Sequence, residues 1–409
     1  MERFQGLLGV ALILLIAFLF SNNKKKINYR LVISGILLQV IIAVSILKIQ
    51  PVTWFFQQVG KGMEGIEHFA RQGAGFVFGG IVADTPSGFA NFREGGFIFA
   101  FSVTSTIILV TVLVAVLYHL GVMQKVVAVI AKAMNFIMRV SGAEALSNVA
   151  SAFVGQVEAQ VMIRPYLKGM TKSELLASMS GSLACIAGGI LIVYANMGAK
   201  AEYLIAASLM AAPGALVISK IVFPETEESE TMGKVKLEVK SSYSNLIDAI
   251  SHGAADGMKI SINVIAMLIG FIALVALINA GLGAIYPGLS LDSIFAQIFT
   301  PMAWAMGVPM QDVGSVATLL GQKLTINEFV AFSNLTNHSV PIISEKGMLI
   351  VSIAICGFAN FSSVGMQIGG IGELAPERRK DLAKLGLKAL LCGTLASYLS
   401  ATIAGILMG

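Results

Sequence analysis

The chain has 409 residues, 56% hydrophobic and only 12% charged, with a formal net charge of +5. That is half the charged fraction of an average soluble domain, about 25%, so the composition excludes a soluble globule and a disordered chain. It also excludes a nucleic-acid binder, because the pI near 9.0 comes with no basic domain to carry phosphate contacts.

What remains is an all-α polytopic membrane protein, since the apolar windows lack the two-residue alternation of a barrel. A spanning helix needs about 20 apolar residues. In chain order eight windows read as spans: 4–23, 31–47, 95–124, 175–199, 203–219, 260–291, 347–372 and 389–409. The first is expected to be retained, because Arg3 sits beside Glu2 and no small-x-small cleavage site follows the apolar run. Residues 54–70, in the Gly-rich stretch 50–92, are mildly amphipathic and read as an interfacial helix. The stretch 225–240 reads as a polar linker. Cys185, Cys356 and Cys392 fall in apolar stretches and read as small apolar residues.

Two further apolar stretches carry charge. Residues 144–166 hold Glu158 and Arg164, and residues 312–344 hold Lys323, Glu328 and His338. The short loops rich in Lys and Arg fix the orientation. Lys24 to Lys26, Lys125 to Arg139, Arg164 to Lys172, Lys234 to Lys240 and Arg378 to Lys384 alternate correctly if the N-terminus is outside and these groups face the cytoplasm. The stretch 144–166 must then enter and leave on the cytoplasmic side, and 312–344 on the outer side. Each becomes a re-entrant hairpin, and such backbone is tolerated at membrane depth only where it is buried or lines a cavity.

The two halves also correspond. Ser173 and Ser344 each open a span and lie 171 apart (344 − 173). The same offset carries Gln156 to Asn327 and Gly188 to Ala359. With opposed hairpins this reads as an inverted repeat, the arrangement in which transporters hold solute and ion between broken helices.

Glu158 and Glu328 are carboxylates at membrane depth in equivalent hairpins, which costs several kcal/mol unless they are paired or solvated. Asn360 and Ser363, three apart, share a helix face beside the loosened segment 357–363. Phe358 and Phe361 read as core residues, although an aromatic beside a polar cavity can pack on a planar ring. The four histidines are scattered, so neither a nucleophile–base pair nor a metal cluster suggests an enzyme. Opposed hairpins favour alternating access over a channel. The residues alone thus point to a secondary transporter of a small polar solute: amides and carboxylates suit a ligand with several hydroxyls and a heterocyclic edge, and would also suit a sugar, a dipeptide or a nucleobase.

A run of motifs narrows this. Gly155, Gln156, Val157, Glu158 and Ala159, then Arg164 to Leu167, then Met170 to Glu174, resemble the GQTEAP, RPYL and MTxSE signature of the concentrative nucleoside transporters. Asn327 to Ala331 resembles the family's NEFVAY block, and Cys356 to Phe361 its CGFANF block. The resemblance runs from about residue 99 to the end.

It implies eight transmembrane helices, two opposed re-entrant hairpins and a homotrimer in a bacterial plasma membrane, with a nucleoside such as uridine or adenosine as solute. Residues 1–140 and 246–308 would form the scaffold, 141–222 and 309–409 the two repeats of a moving transport unit, and 223–245 a cytoplasmic linker. Gln156 and Glu158 would address the nucleobase, with Gly155, Val157 and Ile190 lining its pocket; Glu328, Asn360 and Ser363 would address the ribose, beside Phe358.

The family's sodium positions would be Ser151, Val154, Cys185 and Ile186. Ser151 stands where the family has Asn, Cys185 where it has Ser, Val157 where it has Thr and Gln160 where it has Pro. Oxygen ligands are thereby lost. Sodium is slightly favoured over protons as the coupling ion, since backbone carbonyls could suffice. No cofactor is expected.

Overall fold

The computed structural model describes residues 2–78, 99–232 and 243–408, and among them the chain is helical apart from one isolated bridge between Ser141 and Met232. The first group is α1 Glu2–Leu19, α2 Tyr29–Lys48, α3 Gln50–Phe78, α4 Phe99–His119 and α5 Val122–Met138. Then come α6 Gly142–Ser151, α7 Glu158–Met162, α8 Arg164–Leu167, α9 Lys172–Ala184, α10 Gly188–Asn196 and α11 Ala201–Val222. After α12 Leu246–Ile285 and α13 Leu291–Ala305, the order recurs: α14 Val313–Thr325, α15 Glu328–Thr336, α16 Glu345–Ile355, α17 Phe361–Leu374 and α18 Arg379–Met408.

By length and composition, five stretches among the described residues could cross a membrane: α2, α9 with α10, α11, α12, and residues 376–408. A sixth counts if α4 and α5, bent by 76°, form one span. Of the eight expected windows, the first is a shorter apolar helix, Phe4–Leu19, and the seventh is split between α16 and α17. The third ends at His119 rather than 124, because Gly121 adopts φ +74 and turns the chain into α5. The sixth begins at Leu246 rather than 260, because the helix continues through the polar turn that holds Asp248, His252 and Asp256. The interfacial stretch 54–70 lies within α3, and the end of the polar linker falls outside the described residues.

The core sits among α9, α11, α16 and α18. α11 is buried over nearly its whole length, and α18 packs on α9, α11, α16 and α17. α2 presents Leu31, Gly35, Gln39 and Ala43, a four-residue stripe, to this core. α12 packs on α4 yet leaves Ile262, Ile269 and Leu277 exposed. Such an apolar outer face suits lipid or another protein, not water.

Capping fixes where the inner elements begin. Ser141 with Glu144, and Thr171 with Glu174, form reciprocal capping boxes at α6 and α9. Each cap contributes about 1 kcal/mol. Asp312 binds the other end of the second helix pair to its start: its carboxylate accepts from Ile343 N at 2.8 Å, Ser344 N at 3.0 Å and the Ser344 hydroxyl.

Candidate functional site

Two helix breaks meet at the centre. α9 stops at Cys185 and α16 at Cys356, each followed by a few non-helical residues before the next helix. The breaks touch: Phe358 N donates to Cys185 O at 3.3 Å, and a Cβ on Gly357 would collide with the Ala184 carbonyl. Two further turns close on this crossing. The turn between α6 and α7 abuts the first break, with Gly188 N donating to Phe153 O at 3.3 Å. The turn between α14 and α15 brings Asn327 and Glu328 to the same place.

Between these four pieces lies a cavity of about 370 Å³, within the size range of small-molecule sites. Gly155, Gln156, Val157 and Glu158 line it from the first turn, Ile190 from α10, Glu328 from the second turn, and Phe358, Asn360 and Ser363 from the second break. All nine expected solute residues therefore face one space. Phe361 does not: it is 52% exposed on the outside of α17, so it is not the core residue expected of it.

Each polar group has a local reason for its place. Asn360 caps α17: its Oδ1 accepts from Ser363 N and Ser362 Oγ, both at 2.8 Å, which leaves Nδ2 to donate to Glu328 Oε2 at 2.8 Å. Tyr194 OH donates to the other carboxylate oxygen, Oε1, at 3.3 Å. Asn327 caps α15, accepting from Val330 N at 2.9 Å, so Glu328 sits in the first turn where the helix dipole favours a carboxylate. Glu158 occupies the first turn of α7 and folds back on the turn, where a Cβ on Gly155 would collide with its carboxylate. Gln156 Oε1 accepts from Gln367 Nε2 at 3.5 Å, and Gln367 also donates to Met179 O at 3.2 Å. Val157 lies against Gly370, where a Cβ would come within 2.8 Å of its methyls.

The lining offers a solute carboxylates and carboxamides together with apolar surface from Val103, Ile107, Val193 and Phe358. It can bind a molecule with hydroxyls at one end and a planar, hydrogen-bonding edge at the other. Tyr194, Asn263, Gln367 and Met366 also lie at the site and were not expected. A tyrosine and an asparagine within apolar windows were the available signal.

The four expected ion residues cluster just beside the cavity. Ser151 Oγ donates to Ser147 O at 2.8 Å and shares a hydrogen with Ser182 Oγ at 2.8 Å. Cys185 Sγ lies 3.9 Å from both Asn148 O and Ser208 O, and Ser208 Oγ donates to Ile186 O at 3.3 Å. Val154 is buried in the turn, its N–H bonded to Ala150 O at 2.9 Å. Gln160 adds a carboxamide that donates to Ser147 Oγ at 3.0 Å and Ser182 Oγ at 2.8 Å and accepts from Ser178 Oγ at 2.6 Å.

Comparison with known proteins decides the family. Models described as the N-terminus and C-terminus of Na+ dependent nucleoside transporters match residues 8–81 and 203–405, and one described as nucleoside recognition matches residues 100–201. The chain belongs to the concentrative nucleoside transporter family. It is 42% identical over 414 residues to the uncharacterized transporter YutK of Bacillus subtilis, covering 99% of this chain and 100% of that protein. It is 37% identical over 413 residues to the nucleoside permease NupC of Helicobacter pylori, covering 99% and 97%. The rat sodium/nucleoside cotransporter 1 is 37% identical over 428 residues, covering 99% of this chain and 64% of that longer one. The solved structure of CNTnw in an inward-facing substrate-bound state matches with a TM-score of 0.94 at 40% identity, over 100% of this chain and 98% of that one. As a member of this transporter family the chain is a multi-pass membrane protein, and the family is one of transporters rather than enzymes.

Proposed function

We propose that the protein is a symporter that carries nucleosides into a bacterial cell across the plasma membrane, driven by a cation gradient and working by alternating access. The observation that carries this reading is the cavity shared by the two turns, lined by Glu328, Asn360 and Ser363 together with Gln156 and Glu158. Ribose hydroxyls donate to Glu328 in charge-assisted hydrogen bonds, which are stronger than neutral ones. The base meets Gln156 and Glu158, with Gly155, Val157 and Ile190 around its edge. Relatives named for nucleoside transport support the same solute class.

The topology we propose has eight spans, an outer N-terminus, two opposed hairpins (α6 to α8, and α14 with α15) and an inverted repeat. Contacts between loops support it, because partners belong to the same side. Arg378 Nη1 donates to Leu167 O at 3.1 Å and Lys168 O at 3.0 Å, and Lys388 Nζ to Asn22 Oδ1 at 2.7 Å, all in segments assigned to the cytoplasm. Lys200 meets Glu345 at 3.0 Å outside, and this hydrogen bond holds the Glu345 carboxyl below its ordinary value. The division we propose has the scaffold at 1–140 and 246–308, the transport repeats at 141–222 and 309–409 and the linker at 223–245. A homotrimer would cover the exposed apolar face of α12.

Sodium is the ion that the family description names, and the carbonyls of the turn at 151–154 and the break at 185–186 would supply oxygens for it. Protons are the second reading, favoured because the Ser151 hydroxyl, the Cys185 thiol and the Ile186 carbonyl already have protein partners. Uptake of labelled uridine by proteoliposomes under separately imposed sodium and proton gradients tests both points. Accumulation driven by one gradient, and competed by adenosine but not by free bases or sugars, is the expected result. Competition by sugars or free bases alone would replace the nucleoside with another polar solute.

A further inference from the structure

A lysine lies buried behind the second turn, and solute contacts alone give it no role. Lys323, in the last turn of α14, has no exposed surface, and its Nζ has no hydrogen-bond partner among the described residues. A buried ammonium is costly without a counter-charge. Two other acids have partners of their own: Asp292, in the first turn of α13, accepts from Gln322 Nε2 at 3.2 Å, and Asp312, at the far end of α14, ties down residues 343 and 344. The buried carboxylate that the fold sets beside Lys323 is Glu328, five residues on across the turn that joins the last turn of α14 to the first turn of α15. Glu328 in turn is buried, and its two hydrogen-bonding side chains, Tyr194 and Asn360, are both neutral donors. One buried cation without a hydrogen bond thus stands behind one buried anion without a charged ligand.

We propose that Lys323 is a positioning residue for solute binding: its through-space charge keeps Glu328 a carboxylate in the empty cavity and so sets the preference for solutes that carry ribose hydroxyls. This rests on the nucleoside reading above. An ionised Glu328 only accepts, so each ribose hydroxyl can donate to it. A protonated Glu328 would offer a donor of its own and bind the same hydroxyls less well. Lys323 touches no solute, because it lies outside the cavity lining.

The test compares labelled uridine with labelled 2′,3′-dideoxyuridine in proteoliposomes. Lys323→Met is expected to raise KM for uridine roughly tenfold or more, the difference between a charge-assisted and a neutral hydrogen bond. KM for the dideoxy solute, which lacks the 2′ and 3′ hydroxyls that would donate to Glu328, is expected to move by less than about threefold. Lys323→Arg, which keeps the charge, is expected to restore uridine. Equal loss for both solutes in a folded variant, or no change in either, overturns the proposal. A thermal-unfolding cycle reads the pair without any solute. Lys323→Met and Glu328→Gln each strand one buried partner and are expected to lower Tm, and the double variant to be more stable than the sum of the two losses predicts. Additive losses, or a double variant that does not fold where the single ones do, contradict the pairing. A wild-type protein that carries no nucleoside would defeat the transport reading while leaving this cycle to judge the pair.

Discussion

At the scale of single residues, the site is built from short-range necessities. Asn360 is an N-cap before it is a ligand: one oxygen serves α17, and what is left over, its amide hydrogens, reaches Glu328. Gly155 is required for a different reason, since any Cβ there would occupy the position of the Glu158 carboxylate. Gly155→Ala is therefore expected to push Glu158 out of the cavity and reduce uridine uptake about tenfold, the loss of one good charged hydrogen bond, with the protein still present in the membrane. Uptake at the wild-type level, measured against surface-labelled protein, would show that Glu158 does not need that space. These roles are only partly legible from residue types. Glu158, Glu328 and Asn360 stand out because polar groups are rare in apolar windows. Gln160 carries the same signal, but its hydrogen-bond partners are 13, 18 and 22 residues away in other helices, and no spacing rule reaches that far.

At the scale of elements, the breaks and their crossing decide the architecture. Gly357 passes against the Ala184 carbonyl, so the α16–α17 break fits the α9–α10 break only if position 357 has no side chain. Gly357→Val is expected to destabilise the purified protein by about 1–3 kcal/mol through overpacking, read as a lower Tm; an unchanged Tm would mean that the breaks can part freely. A buried ion pair anchors the other end of the first helix pair. Lys220 Nζ lies 2.7 Å from Glu144 and 3.3 Å from Glu225, joining α6 to α11. Lys220→Met leaves Glu144 buried and unpaired and is expected to cost about 3–5 kcal/mol, with partial recovery when Glu144→Gln is added. No recovery in the double variant would assign the loss to packing instead. The breaks were legible, because Gly-rich runs and small polar residues interrupt apolar windows there. The 76° bend between α4 and α5 was not: a single Gly121 in an uncharged window gives no composition change to read. The early start of α12 was missed for the opposite reason, since a charge-free window stops at the first charged residue while the helix continues through Asp248 and Asp256.

At the scale of the whole molecule, one physical demand links the pieces. A chain with so few charges gathers two carboxylates, Glu158 and Glu328, around one polar cavity, and four interrupted elements provide it. A second cavity of about 350 Å³ shares Gly155, Glu158, Ala187 and Ile190 with the first and is lined beyond them by Tyr118 of α4, Asp256 of α12 and, from the first turn and α7, Phe153 and Val161. It offers a solute a way between the proposed scaffold and the proposed moving unit. The class and order of the chain were readable from windows and motifs. The solute orientation was carried by resemblance alone, because spacing cannot say which end of a cavity holds a hydroxyl. The most direct test is a structure of the purified protein with uridine bound. Ribose hydroxyls are expected within hydrogen-bond distance of Glu328 and Asn360, with the base toward Gln156 and Glu158. Uridine seated instead beside Asp256 and Tyr118, with the space between the two turns unoccupied, would contradict this placement.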